Sequence, residues 1–378
     1  MERHLRRMMN DLRTRTAKEK LAQVRHVSKE RKGRPEGDDD IDLTGEYDEP
    51  GEIPVRVRAR AKKPRTKETG DKRTRNAPVP GARGTVVTVR KQRCKVALGE
   101  SLVTAWLSSE IAAEQQHAIA VGDEVFLEKR ERDHVVIEVL PRRTTLSRPD
   151  PFSPDTERVV AANIDVVVQV SAAKEPPMTT GLIDRYLIAI ERGGAQPVIC
   201  VNKIDQADAA GRAAIGEQLD EYRSIGIPII HCSAETGEGL DDLREAVTGK
   251  TAVLVGHSGV GKSSLLRALD QKLLIATGEI HREGRSGRHT TTSSNLYEFP
   301  DGTRLIDTPG IRQFGLFRLD PRDLRFFFEE FSRFDDGCRF RDCSHLHEPD
   351  CAVRSAAERG ELPRFARYVR MAGELDAD

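Results

Sequence analysis

The 378-residue sequence lacks any long apolar run and is poor in aromatic residues, which make up 5% of it. No stretch reaches the roughly 18 consecutive apolar residues of a membrane span, and the basic N-terminus has no apolar segment resembling a secretory signal. We therefore expect a cytoplasmic protein without a membrane partner. Only six cysteines are present, and three of them fall within 14 residues, which favours a metal site over disulfides.

The first 80 residues have too little apolar content to form a core. They carry 22 Lys and Arg against 15 Asp and Glu, whereas the whole chain is neutral. Such segments cannot bury enough apolar surface to offset the entropy lost on ordering. Residues 1–80 are predicted to be a charged, mostly disordered extension, whose basic runs at 56–75 either contact RNA phosphates or form a solvated linker.

Residues 81–143 change to short β-rich runs separated by glycine turns. Five such runs occur, at residues 84–89, 94–98, 102–107, 124–127 and 135–140. This spacing predicts a small OB-fold-like β-barrel, with an SH3-like barrel as the alternative. Basic residues near one turn would suit oligonucleotide binding: Arg90, Lys91, Arg93 and Lys95. Trp106 lies within an apolar run, so we expect a core residue rather than a base-stacking platform.

Between residues 155 and 320, apolar strands alternate with helical segments. The strands are at 164–170, 197–201, 227–231, 252–255 and 303–306, and the helices are near 182–192, 208–224 and 239–247. This alternation predicts a multidomain α/β chain whose parallel sheet is covered on both faces. Residues 321–378 are predicted to form a separate, mostly helical domain that carries Cys and His.

One apolar strand leads directly into a glycine-rich loop that matches G-x-x-x-x-G-K-[ST]. The loop and the start of the following helix are Gly256, His257, Ser258, Gly259, Val260, Gly261, Lys262, Ser263 and Ser264. In such a loop the backbone N–H groups converge on phosphate oxygens, Lys262 reaches the β- and γ-phosphates, and Ser263 binds Mg²⁺. The chain is therefore predicted to bind a nucleoside triphosphate.

Two other strand ends carry a signature for guanine. One strand leads into Asn202, Lys203, Ile204 and Asp205, which form an N-K-x-D motif. A carboxylate at Asp205 can accept from guanine N1–H and the 2-amino group, a pair of donors that adenine lacks. The next strand leads to Ser233 and Ala234, which resemble the motif that holds the base from its other side.

The remaining parts of a GTP site follow the phosphate loop. Asp307 and Gly310 form D-x-x-G, in which Asp307 would hold Mg²⁺ through water and the Gly310 amide would sense the γ-phosphate. One threonine of Thr290, Thr291 and Thr292 would join the Mg²⁺ shell. Ordinary GTPases begin with the phosphate loop, whereas here N-K-x-D comes first, so the domain is predicted to be circularly permuted. The chain beyond residue 320 is then tethered to the segment that the γ-phosphate orders.

The clustered cysteines have the spacing of a structural metal site. Cys338, Cys343, His345 and Cys351 supply the three thiolates and one imidazole of a closed zinc site. His347 is the rival fourth ligand. One zinc ion per chain is predicted, with no catalytic role.

The chain resembles the family of ribosome small-subunit-dependent GTPase A, the RsgA/YjeQ family, over residues 81–370. The resemblance lies in the domain order, which is a barrel, then a permuted GTPase domain, then a Cys-x4-Cys-x-His-x5-Cys tail. Local strings that carry the resemblance are Pro141-Arg142-Arg143, Ala162-Asn163-Ile164-Asp165, Asp184-Arg185-Tyr186-Leu187, Gly287-Arg288-His289-Thr290-Thr291-Thr292 and His347-Glu348-Pro349-Asp350-Cys351. The resemblance implies a monomeric GTPase that binds the small (30S) ribosomal subunit and its 16S-type rRNA. Such an enzyme assists late maturation, hydrolyses GTP on docking and leaves; the long extension 1–80 departs from the family.

The residue that orients the attacking water is the open point of the mechanism. Ras-like enzymes place Gln directly after D-x-x-G, but this chain has Ile311 there. His289 is the candidate catalytic residue, in line with the resemblance; the alternative is that it only shapes the switch or contacts rRNA. Two other functions remain open: an RNA-binding scaffold gated by GTP without useful hydrolysis, and a P-loop kinase or ATPase.

Overall fold

The computed structural model describes residues 81–90, 92–113, 119–131, 133–150, 153, 155–273, 294–308 and 315–377. The predicted extension, residues 1–80, lies outside the described residues, as do Lys91 and the segments on either side of residues 294–308.

The first described strands form a closed five-stranded barrel. Its elements are β1 (Ala82–Arg90), β2 (Arg93–Leu98), β3 (Ser101–Leu107), the short α1 (Ser109–Ala113), β4 (Glu124–Arg130) and β5 (Asp133–Val139). The strand order is β1-β2-β3-β5-β4, and β4 pairs back onto β1. Alternate residues such as Val86, Val96 and Val136 fill the interior, as the period of two requires. The five predicted strands and the OB-like barrel are confirmed.

Trp106 does not lie in the barrel core, so that prediction was wrong. Its side chain is 39% exposed, and the guanidinium carbon of Arg93 lies 4.7 Å from the ring centroid. The two residues are directly opposite each other on β2 and β3. The alternation of β3 instead points Ala105 and Leu107 inward, which leaves the indole on the outer face.

A hydrogen-bonded joint connects the barrel to the next part of the chain. The guanidinium of Arg142 donates two bonds to the fully buried carboxylate of Asp123, with Nε 2.7 Å from Oδ1 and Nη2 2.8 Å from Oδ2. The Asn163 side chain donates to the Gly122 carbonyl at 2.9 Å. A Cβ atom at Gly122 would lie 2.2 Å from the Ala162 carbonyl oxygen, so only glycine allows this approach.

A β-hairpin follows this joint, and the sequence did not predict it. Its strands are β6 (Thr145–Pro149) and β7 (Glu157–Ala162).

The central sheet places five parallel strands side by side. These are β8 (Val166–Ala172), β9 (Gln196–Asn202), β10 (Ile229–His231), β11 (Thr251–Val255) and β13 (Arg304–Asp307), in the order β10-β9-β8-β11-β13. The sheet is not wholly parallel, because β12 (Asn295–Glu298) pairs antiparallel with β13. Strand β12 also pairs with β1 at Asn295 and Thr88, so the central sheet continues into the barrel.

Four helices cover the two faces of this sheet, as predicted. They are α2 (Thr180–Gly193), α3 (Ala209–Ser224), α4 (Leu240–Val247) and α5 (Lys262–Leu273). Residues of α4 and α5 share one apolar cluster, whereas α2 and α3 pack on the opposite face. The ends carry ordinary signals: the Asp208 side chain caps α3 by accepting from the Gly211 amide, and Gly194 ends α2 at φ 78°.

The C-terminal region is built from short 3₁₀ turns and two helices. The turns are Leu324–Phe327, Glu329–Arg333 and Asp335–Gly337, and the helices are α6 (Ala352–Glu358) and α7 (Phe365–Ala377). Phe328, Phe331 and Tyr368 form its aromatic centre, with ring centroids 5.1–5.3 Å apart. Among the described residues, no helix is both long and apolar enough to span a membrane.

Candidate functional site

The phosphate loop leaves the middle of the sheet in a conformation that only glycine tolerates. All five residues of β11 are buried between β8 and β13. Gly256 follows at φ 141°, and a Cβ atom there would lie 2.1 Å from the Val170 carbonyl oxygen. Gly259 and Gly261 also have positive φ, and α5 begins at Lys262. The exposed loop tip and the N-terminus of α5 thus form the anion-binding arrangement that the motif predicts.

Asn202 joins three of the predicted segments through one side chain. Its Nδ2 donates to the Val260 carbonyl in the phosphate loop at 2.8 Å. Its Oδ1 accepts from the Ala234 amide at 3.1 Å. A Cβ atom at Gly261 would lie 2.3 Å from Asn202 Nδ2, so the contact is close. The N-K-x-D motif, the Ser233–Ala234 segment and the phosphate loop therefore meet at one edge of the sheet.

The rest of the N-K-x-D motif presents its carboxylate to solvent. Lys203 adopts a left-handed conformation at φ 62°, and its Nζ donates to the Glu175 carbonyl at 2.6 Å. The chain then turns through Ile204–Gln206, where Ile204 is buried and Asp205 is exposed. Ser233 is fully buried, and its hydroxyl accepts from the Thr236 amide at 3.0 Å. An exposed carboxylate beside a preformed loop is suited to accept hydrogen bonds from a base.

Lys262 and Asp307 place opposite charges beneath the loop. Lys262 Nζ donates to the carbonyls of Gly256, at 2.7 Å, and His257, at 3.0 Å. Asp307 ends β13 opposite Leu254, and its Oδ1 is buried without a hydrogen-bond partner among the described residues. Burial raises the pKa of the Asp307 carboxyl and lowers that of Lys262, and the attraction between the two groups opposes both shifts. An unpaired buried oxygen is costly, and a nucleotide-bound cation would satisfy it.

Several predicted site residues lie outside the described residues. These are His289, Thr290, Thr291, Thr292 and Gly310, together with Ile311. Their predicted roles in catalysis, in the Mg²⁺ shell and in γ-phosphate sensing stay predictions. The exposed hydroxyls of Ser263 and Ser264 lie in the first turn of α5, where the motif puts them.

The four predicted metal ligands come together in the C-terminal region. The ligand atoms of Cys338, Cys343, His345 and Cys351 all lie within 4.8 Å of one another. His345 Nδ1 is 3.4 Å from the Cys351 sulfur and 3.7 Å from the Cys338 sulfur. His347, the rival ligand, is exposed and outside this cluster.

The groups around the cluster orient the ligands. His345 is buried with φ 63°, and its Nε2 lies 3.5 Å from the Asp335 carboxylate, whereas its Nδ1 faces the cysteine sulfurs. The Arg354 amide donates to the Cys351 sulfur at 3.3 Å. Burial, and secondarily Arg325, lowers the pKa of His345 to about 4, so the imidazole is neutral as a metal ligand must be. Three thiols and a neutral imidazole fit a tetrahedral metal site.

Sequence reasoning missed Tyr186, which lies beneath the phosphate loop. It is 1% exposed and hydrogen-bonds to the backbone of Gly256. The only signal was its position in the string Asp184-Arg185-Tyr186-Leu187, to which no role was assigned. Its contact with a loop 70 residues later depends on how α2 packs, which no local pattern reveals.

Comparisons with known proteins agree with this geometry. The family model described as RsgA GTPase matches residues 139–317. A curated relative, the small ribosomal subunit biogenesis GTPase RsgA of Actinobacillus succinogenes, is 43% identical over 265 residues, which are 68% of this chain and 75% of that protein.

Two solved structures share the fold. The crystal structure of YjeQ from Thermotoga maritima is similar with a TM-score of 0.62 and 32% identity, covering 79% of this chain and 99% of that one. The structure of YloQ, described as a circularly permuted GTPase, has a TM-score of 0.59 and 27% identity, covering 81% and 98%. The predicted permuted order is confirmed, and the chain belongs to the RsgA family of circularly permuted GTPases, which hydrolyse GTP.

Proposed function

We propose that this GTPase binds the small (30S) ribosomal subunit and assists its late maturation, hydrolysing GTP on docking and then dissociating. The observation that carries the nucleotide chemistry is Asn202, whose amide links the phosphate loop to the Ser233–Ala234 segment. The name of the 43% identical relative supports the choice of the small subunit. We further propose 16S-type rRNA as the contact, a monomeric state and a cytoplasmic location.

The predicted nucleotide contacts at the base and at the phosphates have separate proposed roles. Asp205 accepts from N1–H and the 2-amino group of guanine, and the backbone around Ala234 covers the opposite edge of the base. Lys262 exchanges its present carbonyl acceptors for the β- and γ-phosphates. Ser263 and Asp307 would hold Mg²⁺, which would neutralise negative charge on the phosphates. The other loop positions from Gly256 to Ser264 contribute backbone amides.

The two metal positions would have different tasks. We propose Zn²⁺ for Cys338, Cys343, His345 and Cys351, because three thiolates and one imidazole are a typical structural zinc set. Such a set leaves no open coordination position, so the ion would stabilise the fold of the C-terminal region.

We propose His289 as the group that orients the attacking water, since Ile311 cannot do so. Without a fixed Gln, intrinsic turnover is expected to be slow and docking is expected to accelerate it.

We also propose that the chain is divided into four parts. These are a charged extension (1–80), a barrel (81–143), a permuted GTPase domain (155–320) and a zinc domain (321–378).

The deciding experiment is GTP turnover by the purified chain, alone and with purified small ribosomal subunits, with large subunits as the control. Strong stimulation by small subunits alone is expected. Tight GTP binding without stimulation would refute docking-dependent hydrolysis and would favour a GTP-gated RNA-binding scaffold. A His289→Ala variant that still responds normally to small subunits would remove His289 from the mechanism.

Nucleotide selectivity is tested in the same assay with Asp205→Asn. The amide should prefer XTP, because xanthine carries an oxygen where guanine carries the 2-amino donor. If the variant did not weaken GTP relative to ATP or XTP, the proposed guanine contact would be wrong, and a P-loop kinase or ATPase would become the better reading of Lys262.

A further inference from the structure

Helix α2 lies between three separate apolar clusters of the molecule. Tyr186 packs in the same cluster as Val253 and Val255, the end of the strand that leads into the phosphate loop. Ile183 belongs to the cluster of β9 and α3, and Ile188 belongs to that of the C-terminal region. A displacement of α2 would therefore disturb all three, since packed interiors do not deform continuously.

Tyr186 connects this helix to the first residue of the phosphate loop. Its buried hydroxyl group hydrogen-bonds to the backbone of Gly256. Gly256 is already confined on its other side, where the position of a Cβ atom would fall 2.1 Å from the Val170 carbonyl oxygen. Gly256 also provides a carbonyl that accepts from Lys262 Nζ. Tyr186 thus touches the point at which the backbone turns from strand to loop.

Asp184, two residues earlier on α2, is bound to two arginines at the start of the C-terminal helix, Arg364 just before α7 and Arg367 in its first turn. Its carboxylate is fully buried and accepts from Arg364 Nε at 3.0 Å and from Arg367 Nε at 2.5 Å. Arg364 also donates to Glu330, at 3.0 Å, and Arg367 to Glu221 of α3, at 2.5 Å. Breaking a buried charge pair is expensive, so these bonds hold α2 against α7.

We propose that Tyr186 is a positioning residue for the phosphate loop, and that the ion pairs of Asp184 with α7 hold it in place. The C-terminal region then contributes to GTP affinity without touching the nucleotide. The proposal rests on the GTP site described above. Linkage requires the effect to be reciprocal, so nucleotide binding must also steady α7.

The test uses the full chain and a fluorescent GDP analogue. Tyr186→Phe removes one hydroxyl and should weaken binding about fivefold to tenfold, the effect of one lost hydrogen bond. Arg367→Gln should weaken binding in the same direction. The double variant should weaken nucleotide binding by less than the product of the two single-variant factors, because both changes act through α2.

Arg185→Ala is the matched control. Arg185 lies between the two residues on the same helix and pairs with Glu374 of α7, but this pair is at the surface. Exposed pairs contribute little, so nucleotide affinity should stay within twofold of the unmodified chain.

Amide hydrogen exchange separates positioning from a structural role. Exchange in α7 should slow on addition of GDP in the unmodified chain and much less in Tyr186→Phe. A residue that only stabilises the fold would lower the melting temperature and leave this nucleotide-dependent protection unchanged. Tyr186→Phe with unaltered affinity, or Arg367→Gln indistinguishable from Arg185→Ala, would overturn the proposal. Failure of the unmodified chain to bind the analogue would refute the proposed function instead.

Discussion

At the scale of single residues, the polar groups of the nucleotide site hold one another in place before any ligand binds. Asn202 satisfies both ends of its amide, and Lys262 donates to two loop carbonyls. Asp307 is different, since one of its carboxylate oxygens is buried without a hydrogen-bond partner among the described residues. The polar groups of the nucleotide site are therefore already in place without ligand, but the buried carboxylate of Asp307 remains energetically unfavourable when it is ionised.

This charge leads to a prediction for Asp307→Asn. Burial raises the pKa of the carboxyl above its ordinary value of 3.8, despite the attraction of Lys262. The folded protein then binds the proton more tightly than the unfolded chain, so stability falls as pH rises through this pKa. At pH 7 the variant should melt at a higher temperature than the unmodified protein without nucleotide, and the gap should close at low pH. Thermal melts between pH 4 and pH 7 measure it.

The same variant should lose the dependence of nucleotide binding on Mg²⁺, because an amide is a far weaker ligand than a carboxylate. A lower melting temperature together with unchanged Mg²⁺ dependence would contradict both parts of the argument.

Residue patterns predicted which residues belong to the sites. The loop glycines, Asn202 and the three cysteines follow from motif spacing, but the bonds of Asn202 to Val260 and Ala234 were not predicted, because they depend on how distant strands pack. Spacing could not choose between His345 and His347, because both can reach a metal; the choice depends on the left-handed backbone at His345, which buries its ring. Trp106 was placed wrongly because an apolar run does not reveal which face of a strand is inside.

At the scale of elements, continuously apolar segments were predictable and more polar short ones were not. The β11 strand is fully buried and reads as a continuous apolar run. Strand β12 has four residues, of which only Leu296 is buried, and its antiparallel direction is decided by β13 and β1. The β6–β7 hairpin was missed for the same reason, since its partners are set by packing on α2.

The C-terminal region gives the prediction at this scale. Its 3₁₀ turns have poor hydrogen-bond geometry, and Cys351 caps the N-terminus of α6, where its sulfur accepts from the Arg354 amide. A metal at the cluster would tie these turns to α6 in addition to the aromatic centre, so His345→Ala should lose the ion and melt at a lower temperature. A chelator should reproduce this effect in the unmodified chain.

His347→Ala is the control, and it should keep one zinc per chain by elemental analysis, because His347 is exposed outside the cluster. Equal metal loss in both variants would contradict the assignment of ligands.

At the scale of the whole molecule, the barrel and the central sheet are joined at two places. Strand β1 pairs with β12, and the Asn163 side chain donates to the carbonyl of Gly122, which is next to Asp123. The loop with Gly122 is held by Asp123, whose fully buried carboxylate binds Arg142. Arg142→Ala should therefore cost about 3–5 kcal/mol in the free energy of unfolding, because it leaves a buried charge without its partner. Denaturant titration measures the loss.

Arg83→Ala is the matched comparison, since Arg83 pairs with Glu124 on the barrel surface and both side chains are exposed. That change should cost at most about 1 kcal/mol. If the two variants were equally stable, the joint would not be held by the Asp123 ion pair.

The joint at Asp123 also bears on avidity. Because the barrel is fixed to the sheet, its outer face with Arg93 and Trp106 stays at a set spacing from the nucleotide edge. A particle that meets the protein at both places then gains the second contact as an intramolecular event, at high effective concentration. Because the two sites are held rigidly, forming the second contact costs little orientational entropy. Two individually weak contacts then give high overall affinity. A large partner then makes both contacts only if its own two binding sites lie at the same spacing.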